Sequence, residues 1–378
     1  MTSAVPVPPY LAPGRDLRLD FFRGLALWFI FLDHVPDNIV SWVTVRNYGF
    51  SDATEIFVFI SGYTAVIAYS RMMLKDGWPR AAIRIARRVW QLYVAHILLF
   101  VAFTAQIAYV SLARDTTQLI EEMQLMGLGQ NPYQAILEAA LLKFRPVNLD
   151  VLPLYIVLLA AFPFALPAVL RWPLLVILSS VGLYAVTSHF NWNLPGYPDD
   201  KVWFFNPMAW QVVFYSGAVL AVAAPRLAVL DRWRRTVTVL ALLYLLFAGF
   251  IALSWHYNSL ERLIPDWFAR QIYPIDKTNL DILRFVHFLA LAWLVRLLVR
   301  PNARFLKWRL LEPIRRCGEH SLPVFCLGTF LAVTAQIIVA RYEDSIVSQL
   351  LVSLAGLTIM SLFAYTASWL KAQARVPA

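Results

Sequence analysis

Long apolar runs, rather than alternating or amphipathic patterns, dominate this chain of 378 residues. A bilayer core of about 30 Å is crossed by roughly 20 apolar residues in a helix. A lipid-exposed backbone must satisfy its own hydrogen bonds, so such runs predict helices. The pattern therefore predicts an all-α, polytopic bundle of about ten transmembrane helices. The ten predicted segments are 19–36, 53–70, 89–110, 149–170, 173–188, 207–224, 236–255, 280–299, 320–340 and 346–370.

Composition agrees with this fold class. Hydrophobic residues make up 60% of the chain and charged residues 15%, whereas a soluble chain carries nearer 25% charged residues. This excludes a soluble enzyme, a disordered chain and a β-barrel. We expect residues 1–18, which hold four prolines and no apolar stretch, to be a cytoplasmic tail. Residues 19–370 are then one transmembrane domain, and residues 371–378 a second cytoplasmic tail.

The charge distribution predicts the orientation of the bundle. With the N-terminus in the cytoplasm, 23 of the 33 Lys and Arg residues fall in inside loops and helix ends. The acidic residues divide the other way, 6 inside and 17 outside. The positive-inside rule therefore places both termini in the cytoplasm. Topology explains most of the net charge of +10, so no nucleic-acid partner is needed.

Two further features bear on the architecture. The longest predicted connection, 111–148, holds a short helical pattern around 115–124. The only cysteines, Cys317 and Cys326, are nine positions apart, which places them on opposite faces of one predicted helix. This spacing predicts no disulfide and no zinc site.

The first predicted helix carries a polar stripe. Arg23, Leu27, Ile30 and His34 are spaced so that they share one helical face. Asp33 is rotated by about 100° from His34, so the two are not expected to be partners. Ionisable groups in lipid are costly and are functional by default. Because histidine transfers protons near neutral pH, His34 is the first catalytic candidate.

Other polar residues lie at the outer ends of predicted helices, where we expect a chamber open to the periplasm. Its expected lining is His34, Glu55, Asp150, Arg284 and His287. Asp281 and Arg284 also fit a simple ion pair within one helix. Asp52, Asn148 and Asn206 also fit helix caps.

An arginine face lies at the opposite end of the bundle. Arg80, Arg84, Arg87 and Arg88 follow helical spacing into the third predicted segment. Guanidinium groups bind phosphate bidentately, so this face suits an anionic cytosolic cofactor such as a coenzyme A thioester. Anchoring to anionic lipid headgroups is the alternative. The looser basic stretch 300–316 is a weaker candidate for the same role.

The outer connection 189–205 is rich in aromatic residues and amides. Trp192, Tyr197 and Trp203 are candidates for stacking on sugar rings. Aromatic residues also belong to the membrane-interface belt, and that interpretation remains open.

Three segments of the first hundred residues resemble a known family. They are RDLRLDFFRGLALWFIFLDH (15–34), YGFSDATEIFVFISGYTA (48–65) and RIARRVWQLYVAH (84–96). These resemble the OpgC family, membrane proteins that attach succinyl groups to osmoregulated periplasmic glucans in Gram-negative bacteria. The positions that match the broader superfamily of integral-membrane acyltransferases are Arg23, His34, Ser61, Gly62, Arg84 and Arg88. The segment 318–325 resembles that superfamily's late motif, without its usual closing histidine.

The resemblance implies an inner-membrane O-acyltransferase. Succinyl-CoA or another acyl-CoA is then the co-substrate, no cofactor or metal is bound permanently, and a periplasmic glucan is the acceptor. His34 is the expected general base, with Glu55, Asp33 or Asp20 orienting its imidazole. Arg23 is expected to join the four arginines in binding the donor. The residues expected to contact the substrates are Asn148, Asp150, Trp192, Trp203, Asp281, Arg284 and His287.

Two alternative functions stay open. One is O-acetylation of another exported polysaccharide. The other is a transporter or flippase for an anionic glycoconjugate. Inverted repeats and broken helices are typical of such proteins. The sequence shows no fixed-period repeat. The formation of a homo-oligomer is also left open by the sequence.

Overall fold

The structure is a computed structural model. It describes residues 14–114, 117–198, 201–223, 232–301, 303–342 and 345–374. The prolines of the predicted N-terminal tail, at positions 6, 8, 9 and 13, lie outside the described residues.

The chain is all-α, as its apolar runs predict. An isolated antiparallel bridge joins Pro195 and Val202. The helices are α1 Leu17–Asp33, α2 Ala53–Asp76, α3 Trp78–Arg114, α4 Gln118–Glu122, α5 Met126–Gln130, α6 Pro132–Ala140, α7 Val151–Arg171, α8 Pro173–Phe190, α9 Pro207–Ala223, α10 Arg234–Ser254, α11 Asn258–Glu261, α12 Asp266–Ile272, α13 Ile282–Leu298, α14 Glu312–Glu319, α15 Ser321–Arg341 and α16 Ile346–Gln373. Short 3₁₀ turns cover Ile39–Val43, Val45–Tyr48, Arg304–Lys307 and Arg309–Leu311.

Each of the ten predicted segments coincides with one helix. Within the described residues, seven helices are long and apolar enough to cross a membrane: α2, α3, α7, α8, α10, α15 and α16. They make this a multi-pass membrane protein. Helix α9 is apolar but shorter, and α1 and α13 have 17 residues each. A total of ten spans and the side on which each loop lies stay predictions.

Two boundaries differ from the predicted ones. Helix α3 begins at Trp78, well before position 89, because Pro79 is compatible with the first helical turn and the arginine face continues it. The predicted connection 111–148 is shorter than expected because α3 continues to Arg114. The rest of this connection contains α4, α5 and α6. Positions 115–116 of the predicted short helix lie outside the described residues.

Glycines allow two helix pairs to pack backbone against backbone. A Cβ atom on Gly62 of α2 would lie 1.9 Å from Phe214 O of α9, and one on Gly217 of α9 would lie 2.1 Å from Phe59 O. A Cβ on Gly24 of α1 would lie 1.8 Å from Ile314 O of α14. Small residues are typical of such close crossings in membranes. These contacts fix α1 and α2, which carry the candidate site, against the rest of the bundle.

The cysteine prediction is wrong in one respect. Cys317 lies in α14 and Cys326 in α15, because the helix breaks at His320. Both thiols are free, as expected.

Candidate active site

A large cavity opens where the C-terminal end of α1 meets the N-terminal ends of α2 and α7. Its volume is about 980 Å³. We call it the His34 cavity. Its ionisable lining residues are Asp33, His34, Arg46, Asp52, Glu122, Lys143, Arg145, Asp150, Lys201, Lys277 and Arg284. The chamber expected from the sequence is therefore present, although Glu55 and His287 lie behind its surface.

His34 follows the last residue of α1 and lines this cavity. Its Nδ1 is hydrogen-bonded to Ile30 O. A carbonyl oxygen only accepts, so Nδ1 carries a proton, and in the neutral imidazole Nε2 carries none. Nε2 is therefore the ring atom that can take a proton from a group in the cavity.

None of the three carboxylates expected to orient His34 forms a hydrogen bond or an ion pair with its imidazole. Thr44 Oγ1 donates a hydrogen bond to Asp33 at 2.7 Å. Asp20 lies near the other end of α1, where Arg15 Nη2 donates to it at 2.9 Å. Glu55 faces α13. The backbone of α1 itself holds the imidazole of His34, which the sequence did not predict.

A buried ion cluster joins the start of α2 to α13. Arg284 Nη2 lies 2.7 Å from Glu55 Oε1 and 3.2 Å from Asp52 Oδ2. Lys277 Nζ lies 2.6 Å from the same Asp52 oxygen. Burial acts to raise the pKa of Asp52, but Lys277 and Arg284 outweigh it and hold that pKa well below its usual range. The cluster fixes the relative position of two helices at the cavity.

The alternative interpretation of Asp281 and Arg284 as an ion pair within one helix is wrong. Asp281 caps α13, where its side chain accepts a hydrogen bond from Leu283 N at 2.8 Å. Arg284 turns instead to α2, because the two carboxylates there are buried and need a counter-charge.

The three expected caps have different outcomes. Asp52 forms a capping box with Glu55 at the start of α2, so that prediction is confirmed. Asn206 accepts a hydrogen bond from Met208 N at the start of α9, which confirms the second cap. Asn148 caps no helix: its φ is 73° and it lines the His34 cavity.

Asp150 lies at the start of α7 in a buried pair with Arg145, whose Nε is 3.0 Å away. Burial raises the pKa of Asp150 to about 6, and Arg145 acts in the opposite direction. The Arg145 guanidinium also stacks 4.2 Å above the Trp203 ring. Trp203 is only 4% exposed, so its prediction as a sugar platform is wrong.

The other two aromatic candidates, Trp192 and Tyr197, lie in different places. Trp192 is exposed and stacks on Phe190, with ring centroids 5.6 Å apart, away from the cavity lining. Tyr197 lines the cavity and packs against Phe144. Tyr197 is therefore the one of the three that lines the His34 cavity.

Ser51 is a cavity residue that the sequence did not single out. Its hydroxyl lies 2.7 Å from Nδ1 of His287, which is buried one turn beyond Arg284 on α13. The two residues are 236 positions apart, so no local pattern could have paired them.

A second cavity lies at the opposite end of α2. We call it the arginine cavity; its volume is about 640 Å³. Arg80, Arg84, Arg87 and Arg88 all line it, so the structure brings the predicted arginine face into one site. Asp76 pairs with Arg80 at 3.4 Å, whereas the other three arginines form no ion pair with any described residue.

A third, smaller cavity of about 210 Å³ lies between the other two along α2 and α7. We call it the middle cavity. Arg23, Ser61 and Tyr155 line it, together with Arg88 from the arginine cavity. Arg23 Nη2 donates to Thr64 Oγ1 at 2.7 Å, and no described carboxylate pairs with it. A guanidinium without a counter-ion at this depth is suited to an anionic ligand.

These features define a class: a multi-pass helical membrane protein with a polar cavity at one end and an arginine-lined cavity at the other. The comparison of sequences then gives the family. The chain belongs to the OpgC protein family, whose profile matches residues 15–372. No curated protein and no solved structure matches the chain. Family membership indicates a glucan-modifying enzyme of the acyltransferase type.

Proposed function

We propose that the protein is an O-acyltransferase of the bacterial inner membrane. It transfers a succinyl group from a cytosolic acyl-CoA to hydroxyl groups of periplasmic glucans. The observation that carries this proposal is that His34 lines a cavity of about 980 Å³ while Ile30 O accepts its Nδ1–H, which leaves Nε2 of the neutral ring to accept a proton. A glycan hydroxyl that enters this cavity can give its proton to that nitrogen.

The arginine cavity supports binding of the donor. Thr54 lines the His34 cavity and Ala68 the arginine cavity, 14 residues apart on α2. At 1.5 Å per residue, they are separated by about 21 Å along the helix. In this proposal the arginines hold the phosphates of coenzyme A, and the narrow pantetheine arm extends through the middle cavity.

The reaction follows from these positions. His34 Nε2 takes the proton of the acceptor hydroxyl, and the hydroxyl oxygen attacks the thioester carbonyl carbon. The carbon–sulfur bond then breaks, and the thiolate leaves and takes up a proton. Holding both substrates in one place makes a large contribution to such a rate.

A charged acyl group suits the His34 cavity. Lys201 and Arg46 line it, and neither pairs with a carboxylate among the described residues. Arg284, one of the residues expected from the sequence to contact the substrates, already binds Glu55 and Asp52. Lys201 and Arg46 are therefore the cations that this proposal assigns to the carboxylate.

Replacement of His34 tests the proposal. His34→Ala is expected to lower acyl transfer about 10²–10⁴-fold, because the acceptor loses its general base. The readout is the mass and charge of periplasmic glucans from cells that carry each variant. His189→Ala, which removes an exposed imidazole outside the cavity lining, is the matched control and is expected to keep wild-type substitution. Fully substituted glucans from a membrane-inserted His34→Ala protein contradict the role of His34.

The same glucans distinguish the other functions. O-acetylation adds a smaller mass and no negative charge, whereas succinylation adds one charge per substituent. A transporter is tested with purified protein in detergent, where no membrane separates two compartments. Acyl transfer between two soluble substrates under these conditions contradicts a function limited to transport.

A further inference from the structure

A buried serine–histidine pair lies at the His34 cavity, where Ser51 lines the cavity and His287 lies behind it. Ser51 Oγ is 2.7 Å from His287 Nδ1, and Ser51 N is 3.3 Å from the same atom. A backbone N–H only donates, so Nδ1 is the unprotonated nitrogen of this ring. The Ser51 hydroxyl therefore donates to Nδ1, which is the arrangement of a nucleophile and its base.

The imidazole of His287 is held by its surroundings. A Cβ atom on Gly49 would lie 1.9 Å from Nε2, so only glycine lets the backbone pack on this ring. The Phe50 ring lies beside it, with centroids 6.0 Å apart. Residues 49–51 thus form a short segment that fixes the histidine and presents the serine to the cavity.

The neighbourhood suits an oxyanion. Ala53 is the first residue of α2, so its N–H has no acceptor within the helix. The carboxylate of Asp52 beside it is neutralised by Lys277 and Arg284. The start of α2 therefore offers a donor without a free negative charge.

We propose that Ser51 is a nucleophile that carries the acyl group as an ester, with His287 Nδ1 as its base. This rests on the proposed acyl-transfer function and divides it into two half-reactions. Each half-reaction then has its own imidazole, His287 for the donor and His34 for the acceptor.

The two half-reactions balance. In the first, Ser51 Oγ bonds to the thioester carbonyl carbon and its proton passes to His287 Nδ1. The carbon–sulfur bond breaks, and the leaving thiolate takes that proton from His287. In the second, the acceptor hydroxyl gives its proton to His34 Nε2 and its oxygen bonds to the ester carbon. The bond to Ser51 Oγ breaks, and that oxygen regains a proton from His34 through water in the cavity.

The test uses full-length protein in detergent with succinyl-CoA and no glucan. Intact-mass measurement and peptide mapping are expected to find one succinyl group per chain, on Ser51. When glucan is then added, the adduct is expected to persist longest in His34→Ala, which lacks the base for the second half-reaction. One thiol is released per chain in an initial burst. His287→Gln is expected to slow that burst about 10²–10⁴-fold.

Variants of Ser51 distinguish a role in the chemical step from a role in folding. Ser51→Ala removes both adduct and burst, whereas Ser51→Cys forms a thioester that neutral hydroxylamine cleaves. Ser254→Ala is the matched control: this serine is also buried, but its hydroxyl donates only to Ile251 O. It is expected to keep the wild-type adduct.

Several outcomes overturn the relay while the proposed function stands. One is glucan acylation at the wild-type rate by Ser51→Ala. Another is that the wild-type protein acylates glucan although neither it nor His34→Ala forms an adduct. An adduct on Ser51 without transfer to any glucan supports the relay and contradicts the proposed acceptor.

Discussion

Two imidazoles near the His34 cavity have opposite tautomers, and a backbone group sets each one. His34 Nδ1–H donates a hydrogen bond to Ile30 O, which leaves Nε2 able to accept a proton. His287 receives Ser51 N–H at Nδ1, which leaves that atom able to accept the serine proton. Backbone groups cannot change their donor or acceptor role, so both assignments follow from geometry alone.

At the same scale, Asp150 gives a prediction about stability and pH. Burial raises its folded-state pKa to about 6, above the ordinary value of 3.8, so the folded protein binds this proton more tightly than the unfolded chain. The resulting stabilisation is complete below about pH 4 and is lost as the pH rises through 6, about 3 kcal/mol in total. Asp150→Asn removes this dependence.

The measurement is the apparent melting temperature in detergent between pH 4 and pH 7. The wild type is expected to lose stability relative to Asp150→Asn as the pH rises. The loss of the Arg145 partner lowers the variant's stability by an amount that is constant over this range, so only the slope is compared. Parallel curves for the two proteins contradict the raised pKa.

At the scale of the helices, the length of the apolar runs predicted where helices form. The sequence did not predict which of these helices pack together. All ten predicted segments are helical, and seven of the helices are long and apolar enough to cross a membrane, where a helix satisfies the hydrogen bonds of its own backbone. Which helices touch depends on small residues whose partners are distant in sequence. Gly62 and Gly217 show this, since each lies against a carbonyl oxygen of the other helix.

Gly62 therefore gives a prediction about helix packing. Gly62→Ala places a methyl group 1.9 Å from Phe214 O, so α2 and α9 must separate. We expect a loss of about 2 kcal/mol and a lower apparent melting temperature in detergent. Gly182→Ala in α8 is the matched control, because nothing lies within 4 Å of its Cβ and alanine favours a helix. Equal melting temperatures for the two variants contradict the close crossing.

At the scale of the whole molecule, the predicted orientation assigns a side to each cavity. The positive-inside rule places the arginine cavity at the cytoplasmic face and the His34 cavity at the periplasmic face. The two lie at opposite ends of α2, as that orientation requires. Transfer from a cytosolic donor to a periplasmic acceptor needs this separation.

Cysteine labelling tests the assignment of sides. Both native cysteines are first replaced by alanine, and then Lys201→Cys or Arg80→Cys adds one site in each cavity. An impermeant maleimide is expected to label position 201 in intact spheroplasts and position 80 only after permeabilisation. Labelling of both positions from one side contradicts the predicted orientation.

The sequence by itself determined the fold class, the ten helical segments, the arginine face and His34 as the acid–base candidate. Each depends on composition or on spacing within one helix, where geometry is fixed at 3.6 residues per turn. The tertiary structure alone decided which helix ends meet. It paired Arg284 with Glu55 rather than Asp281, buried Trp203 under Arg145 and placed Ser51 beside His287. Such contacts arise between residues far apart in the chain, and spacing along one helix carries no information about them.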